Sequence, residues 1–271
     1  MAATGLVTGV RRGGGDSVLA LRIAIIVTVL ALWQGVALSG LLYRDVVPGL
    51  WEIAAALVRL AGSRDFYGNL GVTAAEAGLA LAVGGLAGLA AGIVLGSSRL
   101  LGRAFERYLY WLGPTPKIIF FPVMIMWFGV GPGSKVAMGG LSCFFPVALS
   151  TAAAMRGIAP VLVRVGRTFR AGSLQMVTKI YLPAMREPVI NGFRLGLGIA
   201  IIGVLLAETK LSNRGLGFLI MQDYQRFDMP GLYALLIAIF AMVIAVNALV
   251  TRLAVKGPPT RAAAARTGRK A

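Results

Sequence analysis

The sequence predicts an all-α membrane protein with about six transmembrane helices, and three observations predict it. Hydrophobic residues make up 58% of the 271-residue chain and charged residues only 14%, a balance that soluble domains do not have. About six apolar runs reach the roughly 20 residues that a helix needs to cross a bilayer. The segments between those runs alternate between strongly basic and charge-balanced, the pattern that orients a polytopic protein. The formal charge of +17 therefore calls for lipid, with no nucleic-acid partner.

The spans fall in order at residues 23–43, 77–98, 111–130, 136–155, 188–207 and 229–251. The first lacks a small-residue cleavage site and reads as a retained span, not a signal peptide. Ahead of it, Arg11, Arg12 and Arg22 oppose Asp16. Residues 44–65 balance three basic against three acidic side chains, and 208–228 do the same. By contrast, Arg99, Arg103 and Arg107 face Glu106 alone, and 156–187 hold six basic residues and one acid. Six more basic residues follow from Arg252, with no acid. The basic segments belong on the cytoplasmic side, so both termini and the 156–187 loop are expected there. The tail 256–271 is Pro/Ala-rich and basic and reads as disordered.

Within the second span, Gly84, Gly88, Gly92 and Gly96 recur every four residues and form one stripe for close helix packing. Gly192 and Gly196 repeat the device in the fifth. The third span is irregular: Pro114, Pro116 and Pro122 each remove a backbone donor, which lipid tolerates only where neighbours or a cavity repair the loss. Lys117, near one end, is expected to snorkel. Pro122, Met126, Trp127 and Phe128, with Phe144 and Phe145 of the fourth span, are candidates for a solute pathway or gate. Glu208 joins them as a carboxylate at a span edge, expected to gate or to pair with Lys210 or Arg214.

Residues 156–187 are the most informative stretch. Ile158, Val161, Leu162, Val165 and Phe169 share one helical face, with Arg164 and Arg167 away from its centre. Ala171, Gly172 and Ser173 mark a break and a new start. A second helical pattern continues through Leu174, Val177 and Tyr181 until Pro183 stops it. Two short amphipathic helices in a basic loop suit a docking element for a soluble partner; helices resting on lipid are the alternative.

With Ile180, Leu182 and Pro183 at its end, this loop resembles that of the permease subunits of binding-protein-dependent ABC importers. Elsewhere the chain resembles their sulfonate/taurine/nitrate branch: Pro116, Pro122, Trp127-Phe128-Gly129, Gly131, Ser134-Lys135 and Phe145-Pro146 match. So do residues 191–203, Ala207-Glu208, Gly215-Leu216-Gly217 and Leu219-Ile220. The likeness covers roughly residues 70–255. It departs in the loop: Arg164-Val165-Gly166 stand where the family has Glu-Ala-Ala, and Arg170 where it has glycine. The turn is then expected to shift to Gly172.

The resemblance implies a type I ABC importer permease-like bundle in the bacterial inner membrane. Its parts are an N-terminal cytoplasmic segment (1–22), the first helix with an external segment (23–69), a permease core (70–255) and the tail. It implies a second permease copy, cytoplasmic ATPase subunits that hold the ATP and Mg, and an external solute-binding protein. Arg164, Val165, Gly166, Arg167, Phe169, Arg170, Ala171, Gly172, Ile180, Leu182 and Pro183 would dock the ATPase. The implied solute is a small anion such as a sulfonate, taurine or nitrate; a thiamine-precursor pyrimidine or other heterocycle is the alternative.

The residue inventory bears on the rival classes. With no histidine and one cysteine, Cys143, the chain lacks the parts of a His/Cys metal site and is a poor intramembrane enzyme. It has no phosphate-binding G-x-x-x-x-G-K-[ST] loop, so no cofactor is expected on this chain. A stand-alone channel or secondary transporter would favour repeated halves, and no such symmetry is evident.

Overall fold

The computed structural model describes residues 14–40 and 46–255. The tail 256–271, most of segment 1–22 and residues 41–45 lie outside the described residues. The chain divides into two compact units, Met1–Ala61 with Asp223–Ala234, and Gly62–Gln222 with Leu235–Ala271.

In the first unit, α1 (Gly14–Ser39) starts well before its predicted position and ends at Gly40, whose φ of +67° suits a helix terminus. Its described side chains are almost all exposed, as a helix that meets lipid on most faces requires. The Trp33 indole N–H donates to the Pro48 carbonyl at 3.1 Å, and Gln34 accepts from the Leu50 amide at 3.0 Å. These bonds tie α1 to the start of α2 (Leu50–Ala61), an amphipathic helix within the segment expected to be external. Tyr233 closes on Trp33 edge to face, 5.2 Å between centroids.

The second unit opens with α3 (Arg64–Ser97), capped by Ser63, whose hydroxyl accepts from the Phe66 amide at 3.3 Å. At 34 residues it is about 51 Å long, more than a bilayer core requires. The span predicted to begin at 77 thus begins thirteen residues earlier, and the boundary placed at 69/70 falls inside a helix. Polar Asn69, Thr73 and Glu76 interrupted the apolar run, yet all three are buried; they point into the protein rather than end the helix.

A sharp turn at Ser98 leads to α4 (Arg99–Leu112). A 3₁₀ turn (Lys117–Phe120) and α5 (Phe121–Phe128) follow. The pair Arg99–Leu112 and Lys117–Phe128 is bent by 93°, the geometry of a broken span or a re-entrant loop, so residues 111–130 are not the single helix read from the sequence. Pro114 and Pro116 sit in the break. Pro122, however, breaks nothing: it occupies the first turn of α5, where a missing N–H costs no hydrogen bond. Among the described residues, five helices are each long and apolar enough to cross a membrane, and the bent pair, counted as one span, makes up to six.

Helix α6 (Pro132–Arg156) is the centre of the unit, packed between α3 and α10 (Arg186–Lys210). The predicted glycine stripe lies on this seam. A β carbon at Gly84 would overlap the Gly140 backbone, one at Gly88 would sit 2.6 Å from the Phe144 carbonyl, and Gly92 and Gly96 meet Thr151 and Met155 as closely. Gly192 and Gly196 serve the α10 side against Ser150 and Val147. Ala77, Ala80, Cys143, Leu197, Ala200, Ile201 and Val204 fill the core around these contacts. Between α6 and α10 run α7 (Pro160–Thr168), α8 (Ser173–Met176), a π turn (Val177–Tyr181) and α9 (Leu182–Ala184). After α10 come α11 (Leu216–Gln225) and α12 (Met229–Val255).

Two alanine substitutions in α3 should shift stability in opposite directions. Gly88→Ala overpacks the seam and should cost about 1–3 kcal/mol. Gly78→Ala, with nothing within 4 Å of its added carbon, should gain up to about 1 kcal/mol of helix propensity. Thermal unfolding of the two variants in detergent checks the pair.

Candidate functional site

Helix α6 runs between two candidate regions. The first, around its N-terminus, is a polar network centred on Glu208, only 1% exposed at the end of α10. Thr73 donates its hydroxyl to Glu208 Oε1 at 2.7 Å, and the Gly217 amide donates to Oε2 at 2.7 Å. The Leu216 amide donates to Thr73 Oγ1 at 2.8 Å, and the Gly215 amide to Asn69 Oδ1 at 2.7 Å. One carboxylate therefore fastens α3, α10 and the start of α11 together. Gly215 makes this geometry available, since its φ of +105° is closed to other residues and a side chain there would overlap the carboxylate. The pairing expected with Lys210 or Arg214 does not occur; the Gly217 amide and the Thr73 hydroxyl take their place. The sequence signal for Asn69, Thr73 and Glu76 was their three- and four-residue spacing along one helical face.

Two lysines repair the broken third crossing. The Lys117 ammonium turns back to the Gly113 and Thr115 carbonyls and sits 4.9 Å from the centre of the Phe145 ring. It caps the end of α4 rather than snorkelling outward. Lys135, 2% exposed, does the same for the chain after α5, donating to the Val130 and Gly131 carbonyls. Lys135 also borders a cavity of about 390 Å³ beside the Glu208 network, with Glu76, Asn213 and Arg214 among its walls. The Glu76 carboxyl lies in hydrogen-bond reach of Glu208, while its buried Oε2 has no hydrogen-bond partner among the described residues.

The second region lies past the other end of α6. There Arg156 grips Glu106 of α4 with two bonds of 2.5 and 2.6 Å. Helix α7 then packs on the following helical segment through Gly166, where a β carbon would overlap Ile180 and Met176. The turn after α7 is not displaced to Gly172, whose φ of −65° is ordinary. Arg170 itself takes the left-handed conformation, φ +51°. The Ala171 amide donates to the Gly166 carbonyl at 3.0 Å and the Arg170 amide to Arg167 at 2.9 Å. That is a Schellman cap with arginine in the glycine position. The backbone here takes the conformation that glycine adopts most readily, with an arginine in place.

Nor does Pro183 end the second helix, which continues through α9 to a break at Met185. The π turn ahead of it widens the backbone spacing where the proline removes a donor. Phe169 and Leu174 are 80% and 75% exposed, and Val165 is exposed as well. Among the described residues, Arg164, Arg167 and Arg170 have no carboxylate within ion-pair distance.

The other candidates do not converge. Pro122, Met126, Trp127 and Phe128 lie on the exposed surface of α5. Phe144 and Phe145 stack edge to face inside the bundle, 5.3 Å apart.

A family model for the inner membrane component of binding-protein-dependent transport systems matches residues 84–255. A protein of Bacillus subtilis named as an aliphatic sulfonates transport permease is 32% identical, over 79% of this chain and 78% of its own length. A taurine transport system permease of Escherichia coli is 27% identical, over 86% of this chain and 88% of its own. A nitrate import permease of Synechococcus elongatus is 25% identical, over 78% of each.

Removing the carboxylate should be far worse than reshaping the turn. Glu208→Ala strands Thr73 and the Gly217 amide and should cost roughly 2–4 kcal/mol, measured as lost thermal stability in detergent. Arg170→Gly relieves the left-handed backbone and should steady the loop by about 1 kcal/mol, read as slower amide exchange at Arg170 and Ala171.

Proposed function

The chain belongs to the family of inner membrane components of binding-protein-dependent transport systems, in its sulfonate/taurine/nitrate branch, and from that premise we propose how it works. It is a multi-pass permease subunit of an ABC importer in the bacterial inner membrane. Its solute is a small anion of the sulfonate, taurine or nitrate kind. An external binding protein delivers that solute to a pair of permease copies, with both termini of each copy in the cytoplasm. ATP, with Mg, is hydrolysed on separate cytoplasmic ATPase subunits.

One observation supports this coupling most directly: the α7–α9 segment is braced internally yet presents an unpaired face. Gly166 locks α7 onto the segment behind it, and Arg156–Glu106 fastens the base. Phe169, Val165 and Leu174 remain exposed, ringed by Arg164, Arg167 and Arg170. An exposed aromatic flanked by arginines is the composition of a protein interface. We assign it to an acidic groove of the ATPase, since Arg164 stands where relatives of the resembled family carry glutamate. A rigid segment continuous with α6 and α10 then carries groove closure into the bundle, as alternating access requires. Exposed Met126, Trp127 and Phe128 on the bent α5 belong to the surface facing the second copy and the solute path. The Glu208 network serves as the gate's fixed hinge.

The test is reconstitution of the permease with its ATPase and binding protein in vesicles. Solute-stimulated ATP hydrolysis is the expected outcome, and a heterocycle that stimulates where sulfonates do not would replace the anion reading. Arg164→Glu should lower co-purification of the ATPase by about tenfold while leaving the permease folded. Unchanged complex formation would remove α7 as the docking element.

A further inference from the structure

Helix α4 carries a charge pattern that the bundle does not use. Arg99, Arg103 and Arg107 recur every four residues and so stand on one stripe of the helix. All three are exposed, and among the described residues none has a carboxylate within ion-pair distance. The one acid of the helix, Glu106, is held by Arg156 through bonds of 2.5 and 2.6 Å. Gly102 lies on the same anchored edge, where an added β carbon would come within 2.8 Å of the Leu95 carbonyl. α4 is thus fixed along one edge to the ends of α3 and α6. Its remaining surface is open. Leu101, Phe105, Tyr108 and Leu112 form an apolar stripe across the helix from the arginines, each between 36% and 56% exposed.

The two ends of α4 lie at different depths. It starts at Ser98, where α3 finishes beside the C-terminus of α6. It ends with Gly113 against Phe145, midway along α6. The helix therefore enters the apolar layer obliquely from one end of the bundle. We infer that α4 is a binding site for anionic lipid: the arginine stripe takes the headgroup phosphate, and the apolar stripe lies along the acyl chains. Each guanidinium can donate two parallel hydrogen bonds to phosphate oxygens, and its long stem reaches headgroup level from partway into the bilayer. Basic amphipathic helices divide their faces between headgroup and chain in this way. Charge decides against a second copy as the occupant, since it would bring the same basic segments, 99–107 and 156–187, to the contact. A soluble acidic partner would match the arginines but leave the apolar stripe that descends to Phe145 uncovered. The leaflet, the cytoplasmic one, rests on the orientation proposed above; the chemistry does not.

Fluorescence of the full-length chain in phosphatidylcholine nanodiscs tests the site, because Trp111, 67% exposed, stands beside the apolar stripe. The probes are dibrominated phosphatidylglycerol and dibrominated phosphatidylcholine as quenchers, and Trp111→Phe isolates the contribution of that ring. The anionic lipid should be preferred at Trp111 by at least about tenfold. Arg103→Gln should reduce the preference about fivefold, and Arg103→Lys should keep most of it. Replacing all three arginines by Gln should abolish it. Arg59→Gln makes the same change of charge on exposed α2 and should leave it unaltered. Equal quenching by the two lipids overturns the assignment, as does a preference that survives loss of all three arginines or falls as far in Arg59→Gln. Millimolar inorganic phosphate that removes the preference, where chloride of equal ionic strength does not, would make this a free-phosphate site and overturn it too. So would an altered oligomeric state of the triple variant with its lipid preference intact, which assigns the stripe to a second copy. Nanodiscs offer lipid on both faces, so a reversed topology would move the site to the other leaflet and leave the binding itself standing.

Discussion

Helices α3 and α6 meet backbone to backbone along four turns, and the rest of the second unit is arranged around that contact. In lipid no water is released by bringing two apolar helices together, so the attraction must come from dispersion at short range. The glycines at 84, 88, 92 and 96 supply the range. With α3 drawn this close, Thr73 and Asn69 reach the end of α10 and the start of α11. Without it, Glu208 would face a gap, and a buried carboxylate lacking donors is not tolerated.

The same economy governs the other charged groups in the bundle. Each sits where the backbone is interrupted, and each satisfies what the interruption left open. Lys117 and Lys135 supply donors to carbonyls at the ends of α4 and α5; Glu208 accepts from one amide and one hydroxyl where α10 gives way to α11. A low-dielectric setting strengthens such bonds and penalises their absence. These residues therefore supply partners to backbone groups that the irregular, proline-containing segments leave open.

At the far end of α6 the loop shows how geometry can persist through a change of residue. Arg170 keeps the left-handed Schellman turn that a glycine would adopt at no steric cost. Two backbone hydrogen bonds and the Gly166 contact over-determine the turn. The exposed Arg170 side chain stands with Arg164 and Arg167 at three-residue spacing.

Composition, span periodicity and the alternation of charge by themselves determined the class of protein, the five long apolar helices and the glycine seam. These are short-range properties: a helix face is set by neighbours three and four residues apart, and a span by its own hydropathy. The ends of the spans were less legible, because polar residues at 69, 73 and 76 look the same in sequence whether they face water or a buried partner. Only the tertiary structure decided that Glu208 pairs with Thr73, 135 residues away, and that Asn69 meets Gly215 across 146. It likewise decided the 93° bend, the conformation of Arg170 and the cavity by Lys135. Each depends on which distant groups reach a backbone donor or acceptor first, and no local pattern encodes that competition.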